Sequence, residues 1–130
     1  MRLLRQGRDV GFLIDQNVLE RDGIFVPFFG HPASTTPVVA RLALKTGLPI
    51  ISGFIYPGAK SGHYFIRFYP AVRAEKGDDV EQEVARLTAL LNQRLEEVIR
   101  EFPQCWLWGH KRFRTQPDGQ DPYILPEDGS

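Results

Sequence analysis

Seven apolar residues, Val80, Val84, Leu87, Leu91, Leu95, Val98 and Phe102, recur at steps of three and four between the aspartates at 78 and 79 and Pro103. That spacing puts them on one face of an α-helix, with the charged residues between them on the other. The punctuation agrees: Asp78 or Asp79 opens the helix, Glu81 follows Asp78 at the spacing of a capping box, and Pro103 cannot continue it. A long helix with a single apolar stripe draws its stability from whatever covers the stripe, so a sheet is expected to pack on it.

The other elements are short. "RLLRQGR", residues 2–8, reads as the tail of a helix, with Leu3 and Leu4 apolar, Arg5 and Arg8 basic where a C-terminus favours cations, and Gly7 as terminator. A helix at this position is expected to have its beginning upstream. "VGFLI", residues 10–14, has no polar face and predicts a strand covered on both sides in a parallel sheet, ending at Asp15 and Gln16. Residues 17–34 read as an unusually apolar loop containing Gly23, Pro27, Gly30 and Pro32. "STTPVVARLALKTGLP" predicts a helix with Thr35 or Thr36 as cap, Pro37 in the first turn, Gly47 and Pro49 closing it, and Val38, Val39, Leu42 and Ala43 buried. "PIISGFIY" predicts a second buried strand, and "HYFIRFYPAV" its hairpin partner across "PGAKSG". The strand, helix, strand order predicts an α/β sheet with a right-handed crossover.

Of the 130 residues 42% are apolar, enough for the core of one domain. The 16 basic and 16 acidic side chains cancel, so no global field attracts nucleic acid and any pull on an anionic surface must be local. Cys105 is the single cysteine; no internal disulfide can form, and its apolar setting "CWLW" predicts a buried, inert thiol in a reducing compartment rather than a nucleophile. No apolar run approaches the ~18 residues that span a bilayer, and the N-terminus has no signal-peptide core. His31, His63 and His110 lack the spacing of a metal site, and neither GxGxxG nor GxxxxGK occurs, so no metal or nucleotide cofactor is expected. The last dozen residues have loop composition, and 118–130 is expected to be a flexible tail behind a domain at 1–117.

Two features carry chemistry. Asp15 and Gln16 stand where open α/β sheets bind ligands, at the end of a predicted strand; holding loop amides is the competing role for Asp15. "WLWGHKRFR" gathers His110, Lys111, Arg112 and Arg114 behind two tryptophans, a cluster suited to phosphate and equally to a solvated charged turn.

In chain order, "LIDQN", "GIFVPFFGHPASTT", "LALKTGLPII", Asn92 and "LEEVIREFPQCWLWGHKRFRTQP" resemble the C-terminal half of the bacterial lipid A biosynthesis acyltransferases, the lauroyl and myristoyl transferase family, over about residues 1–117. The matching phrases are the Asp-Gln, the Phe-Phe-Gly-x-Pro-Ala-x-Thr, the Thr-Gly before a strand, and the terminal run with Trp108, His110, Arg112, Phe113 and Arg114. Gln104 follows Pro103 directly, one residue short of the family's spacing.

The resemblance implies a partial, mixed-sheet α/β fold like that of the glycerol-phosphate acyltransferases, with flanking helices and an incomplete N-terminal half. It also implies transfer of a fatty acyl chain from acyl carrier protein to a hydroxyacyl group of a phosphorylated glycolipid, at the cytoplasmic face of the bacterial inner membrane. The family's His followed five residues later by an acid, the general base and its orienting carboxylate, is not found: those positions after His31, His63 and His110 hold Thr36, Phe68 and Thr115. The chain alone is therefore expected to be inactive and, with part of its cover absent, to self-associate.

By the same resemblance, Asp15 and Gln16 are supporting catalytic residues, and Arg5 is a candidate substrate-binding residue as well as a candidate partner for Asp15. Phe28, Phe29, Gly30, Thr35, Trp108, His110, Lys111, Arg112 and Arg114 are candidate substrate-binding residues, the basic ones for headgroup phosphates. The tryptophans suit a water–acyl boundary and "IFVPFF" an acyl channel or membrane contact. The alternatives are a glycerol-phosphate type acyltransferase and a non-catalytic module binding anionic lipid or a membrane partner.

Overall fold

The computed structural model describes residues 2–75 and 77–124. Its elements are α1 (Arg2–Arg5), β1 (Ile24–Phe28), β2 (His31–Thr35), α2 (Val38–Thr46), β3 (Gly53–Pro57), β4 (Tyr64–Phe68) and α3 (Val80–Glu101). The strands form two separate antiparallel hairpins, β1–β2 and β3–β4, and with the helices they make a small α/β fold.

α3 is the spine. The Asp79 carboxylate accepts the Gln82 N–H at 2.9 Å, so Asp79 is the cap, and the helix gives way at Phe102 before Pro103. Val84, Leu87, Leu91, Leu95 and Val98 are buried as the spacing requires, together with Ile99; Val80, in the first turn, is exposed. The stripe serves two partners. Its first half packs on Ala40 and Ala43 of α2 and on Ile50. Its second half, Leu95 and Ile99, packs on Phe28 and Ala33 of the first hairpin.

α2 buries the small residues Ala40 and Ala43, while Val38, Val39 and Leu42 are only half-buried. Pro37 holds the cap position and no side chain caps the helix fully: Thr36 Oγ1 reaches the Val38 N–H at 3.5 Å, and Thr35 belongs to β2. Gly47 closes the helix at φ 71°, its N–H donating to the Ala43 carbonyl at 2.8 Å.

Three expectations are overturned. Much of the loop expected over 17–34 is a hairpin: Phe28 pairs with His31, leaving a two-residue turn of Phe29 and Gly30, both at positive φ (49° and 79°). That turn suits the twist of a hairpin, but phenylalanine is a poor signal for it. The apolar run "IFVPFF" turns Val26 and Phe28 into the core instead of outward. Second, residues 10–14 form no strand and make no backbone hydrogen bond among the described residues; Phe12 and Leu13 are exposed. Apolar composition gave the run a tendency to be covered, but a strand needs a neighbouring edge, and neither sheet is parallel.

Third, β3 is not buried on both sides. Phe54 and Tyr56 face inward, Tyr56 fully buried against Phe102 and Phe65, while Ile55, Tyr64, Ile66 and Phe68 form an exposed apolar face. Phe68 lies flat over Gly53, where an added Cβ would come within 2.8 Å of the ring. Burial pushes the Tyr56 phenol up to about 12.

Of the expected tail, residues 125–130 lie outside the described residues, while Asp121 pairs with Arg114 at 3.2 Å and the Tyr123 hydroxyl accepts the Phe113 N–H. No helix among the described residues is long and apolar enough to cross a membrane.

Candidate functional site

The C-terminal run divides along its length. Trp106 packs inward beside Phe28, but Leu107 and Trp108 stand 74% and 70% exposed, and Trp108 is fixed by its indole N–H donating to the Pro103 carbonyl at 2.8 Å. Lys111 and Arg114 are exposed, Lys111 over the Tyr123 ring and Arg114 paired with Asp121. Cys105, expected in the core, is also exposed, because the 3₁₀ turn Pro103–Cys105 leaves the end of α3 pointing outward.

Arg112 goes the other way. At 2% exposure it is interior, where a headgroup ligand was expected. Its guanidinium donates to the Ser34 carbonyl at 2.8 Å and to Thr35 Oγ1 at 2.6 Å, approaches Asn92 Oδ1 at 3.5 Å, and lies over the Phe28 ring. Thr35 and Asn92, both fully buried, complete the knot: Asn92 donates to Thr35 Oγ1 and to the Pro27 carbonyl. A guanidinium tolerates this interior because both its terminal nitrogens are met by fixed acceptors. Burial pulls its pKa down to about 10, while the charge of Asp15 raises it in opposition.

Asp15 is therefore tied electrostatically to Arg112 and not to Arg5, which is exposed on α1 and makes no ion pair among the described residues. The two groups do not touch: no Asp15–Arg112 pair falls within 4.0 Å, and both Asp15 Oδ1 and Arg112 Nε are buried without a hydrogen-bond partner, as is Ser34 Oγ. Gln16 is exposed and makes no hydrogen bond among the described residues.

Asp15 also lies at the edge of a cavity of about 660 Å³. Most of the lining residues are apolar, from residues 10–14, one side of α2, Phe54 and Ile55 of β3, and the far half of α3 with Trp106, with Thr46, Ser52 and Cys105 among them. A mainly apolar cavity with one carboxylate in its lining suits a molecule with a hydrocarbon body and a polar end. Of the Phe-Phe-Gly run, Phe28 supports Arg112 from below, Phe29 donates its N–H to Glu96 Oε1 at 2.8 Å, and Gly30 forms the turn; none of the three lines the cavity. His31 and His63 are exposed, and no group of three potential metal ligands occurs among the described residues.

Sequence reasoning missed Asn17 and Thr115. The Asn17 N–H donates to His110 Nε2 at 2.9 Å, its Nδ2 donates to Thr115 Oγ1 at 2.9 Å, and its Oδ1 accepts the Thr115 N–H at 3.1 Å. The available signal was Asn17's place directly after Asp15 and Gln16 in "DQN".

Residues 1–115 match the family described as bacterial lipid A biosynthesis acyltransferase. The chain is similar to a lipid A biosynthesis acyltransferase of Haemophilus influenzae, 28% identical over 92% of this chain and 36% of that protein. It is similar at the same identity to two Escherichia coli proteins: the lipid A biosynthesis lauroyltransferase, with 92% and 38% of the two chains covered, and the palmitoleoyltransferase, with 94% and 39%. The chain thus spans under two-fifths of the length of these relatives. With the Asp-Gln, Phe-Phe-Gly and Trp-x-His-x-Arg phrases falling inside the matched span, the chain belongs to the bacterial lipid A biosynthesis acyltransferase family.

Proposed function

We propose that this chain forms part of an acyltransferase of lipid A biosynthesis, in which the apolar cavity receives the fatty acyl chain and Asp15 lies beside the reacting end. The observation that carries this is the cavity itself: about 660 Å³, lined mainly by apolar side chains, with Asp15 among the residues that line it. Burying six to eight methylenes there at ~0.8 kcal/mol each gives about 5–6 kcal/mol, a Kd on the order of 0.1 mM before any headgroup contact. The donor is an acyl carrier protein thioester and the acceptor a hydroxyacyl group of a phosphorylated glycolipid. The finer architecture in this reading is the mixed sheet of the glycerol-phosphate acyltransferases.

Asp15 is a carboxylate within the field of the buried Arg112 cation, and in this reading it orients a proton-carrying partner. The base itself belongs to the His-x4-acid pair that these residues do not supply, so the chain alone holds the acyl group without turning over; loss of a general base costs about 10²- to 10⁴-fold in rate. Leu107 and Trp108, with Lys111 and Arg114 beside them, supply an apolar and cationic surface for the cytoplasmic face of the inner membrane.

Incubation with an acyl carrier protein thioester and a lipid A precursor, with and without a family segment bearing the His-acid pair, tests the assignment. Transfer only when that segment is present is the expected result. Transfer to glycerol phosphate in preference to the glycolipid would move the assignment to the other acyltransferase class, and turnover by the chain alone would contradict the proposed division of labour.

A further inference from the structure

Asp15 sits in a segment that nothing in the backbone holds. Residues 9–18 make no backbone–backbone hydrogen bond among the described residues and belong to no helix or strand. A free segment of this length samples many conformations, so a carboxylate within it has a fixed place only if some other group fixes it. The one set of directional bonds on the segment is at Asn17, and all three run to residues 93 and 98 positions away: His110 Nε2, Thr115 Oγ1 and the Thr115 N–H.

The spacing of these bonds is informative. Asn17 follows Asp15 by two residues, and His110 precedes Arg112 by two. The Arg112 N–H donates to the His110 carbonyl at 2.9 Å, and the His110 N–H to the Leu107 carbonyl at 3.0 Å, so His110 and Arg112 share one tight turn. Arg112 is then anchored in the core by Ser34 and Thr35. A rigid path therefore runs from the β1–β2 hairpin through Arg112 and His110 to Asn17, and ends next to Asp15. His110 takes part as an acceptor: Nε2 receives the Asn17 N–H, so that nitrogen is engaged within the protein.

We infer that Asn17, His110 and Thr115 form a clasp whose function is to position Asp15 at the rim of the apolar cavity, opposite Arg112. They are positioning residues: none of the three lines the cavity. His110 is thereby reassigned from phosphate contact to support of the acidic segment. The inference rests on Asp15 being a site residue of the proposed acyltransferase.

Amide hydrogen exchange on the full chain tests the clasp without any need for turnover. In the parent protein the amides of Asn17 and Thr115 are expected to be protected. Thr115→Val keeps the volume and removes the acceptor, and should speed exchange at Asn17 about tenfold or more while the β1–β2 amides keep their protection. Thr115→Ser restores the acceptor and should restore protection. Asn17→Ala is the second variant, removing both side-chain bonds at once. Unchanged exchange at residues 14–17 in both Thr115→Val and Asn17→Ala would overturn the clasp, as would failure of serine to rescue. In the two-component transfer assay, Thr115→Val should lower kcat about tenfold with KM for the acyl donor unchanged; a rise in KM alone would place these residues in binding rather than positioning. If the exchange results hold but Asp15→Asn leaves transfer untouched, the clasp stands and the site reading fails, so the two are separable.

Discussion

The Arg112 guanidinium lies 2.6 Å from the Thr35 hydroxyl, inside the protein, although in sequence it sits among the cations most suited to meeting phosphate. That bond, with a second to the Ser34 carbonyl, joins the C-terminal run to the end of β2, across 77 and 78 positions. It divides the cluster into an inner part, with Arg112 buried and His110 half-buried, and an exposed part, with Lys111 and Arg114.

Arg112 should therefore be a stability residue first. Arg112→Ala takes a donor from the Ser34 carbonyl, Thr35 and Asn92, and losing hydrogen bonds from a charged group to buried acceptors costs about 1.5–3 kcal/mol. Arg112→Lys should recover little, because an ammonium cannot reproduce the planar fork. Denaturant unfolding of both variants measures this; a loss within ~0.5 kcal/mol, the range of ordinary surface substitutions, would return Arg112 to the ligand-binding list.

Asn92 is predicted to be as selective. It is fully buried and donates to both the Pro27 carbonyl and Thr35, so Asn92→Leu, similar in size, should cost about 1–3 kcal/mol by leaving the Pro27 carbonyl without that donor. Neutral behaviour in thermal unfolding would show the network to be dispensable.

Glu83 predicts a pH dependence. Its carboxylate accepts from Arg86 at 2.6 and 2.7 Å and from the Glu75 N–H at 2.8 Å, and the Arg86 hydrogen bond comes first in holding its pKa below the usual value. A depressed acid stabilises the fold above its unfolded value and loses that contribution as pH falls through the lower, folded one. Glu83→Gln should be less stable than the parent by about 1 kcal/mol near neutral pH, with the difference shrinking below about pH 4.3, the ordinary glutamate value. A difference constant from pH 7 to pH 3 would contradict it.

At the surface, Leu107 and Trp108 on one hand and Lys111 on the other make separable contributions to lipid binding. Liposome sedimentation should show Trp108→Ala weakening binding at all salt concentrations. Lys111→Ala should weaken it only at low salt, by about fivefold for ~1 kcal/mol per cation near an anionic surface. Equal behaviour of both variants with the parent would remove the membrane contact from the proposal.

What the sequence disclosed follows from which signals are local. α3 was legible because its stripe, its Asp79 cap and Pro103 lie on one continuous stretch, and the β3–β4 hairpin because its turn carries glycines. The β1–β2 hairpin was not, since Phe29 at φ 49° occupies a turn position usually marked by asparagine or glycine. Residues 10–14 misled because an apolar run records a need for cover and not the presence of a pairing edge. Asp15 could be picked out from its place after that run, but its electrostatic partner could not: Arg5 is near in sequence, whereas Arg112 is brought in by a fold that pairs distant segments. The burial of Arg112 and the exposure of Cys105 were hidden for the same reason.

The central claim is that the cavity beside Asp15 holds an acyl chain, and the most direct test is equilibrium binding of a fluorescent long-chain fatty acid to the chain and two charge variants. Ile55 borders the cavity while Ile66, on the same exposed face of the hairpin, does not, so Ile55→Glu and Ile66→Glu place the same charge at the cavity wall and away from it at similar cost to the fold. The account predicts saturable binding with a Kd on the order of 0.1 mM, weakened at least about tenfold by Ile55→Glu and unchanged by Ile66→Glu. Absence of saturable binding, or equal weakening by both variants, would contradict it.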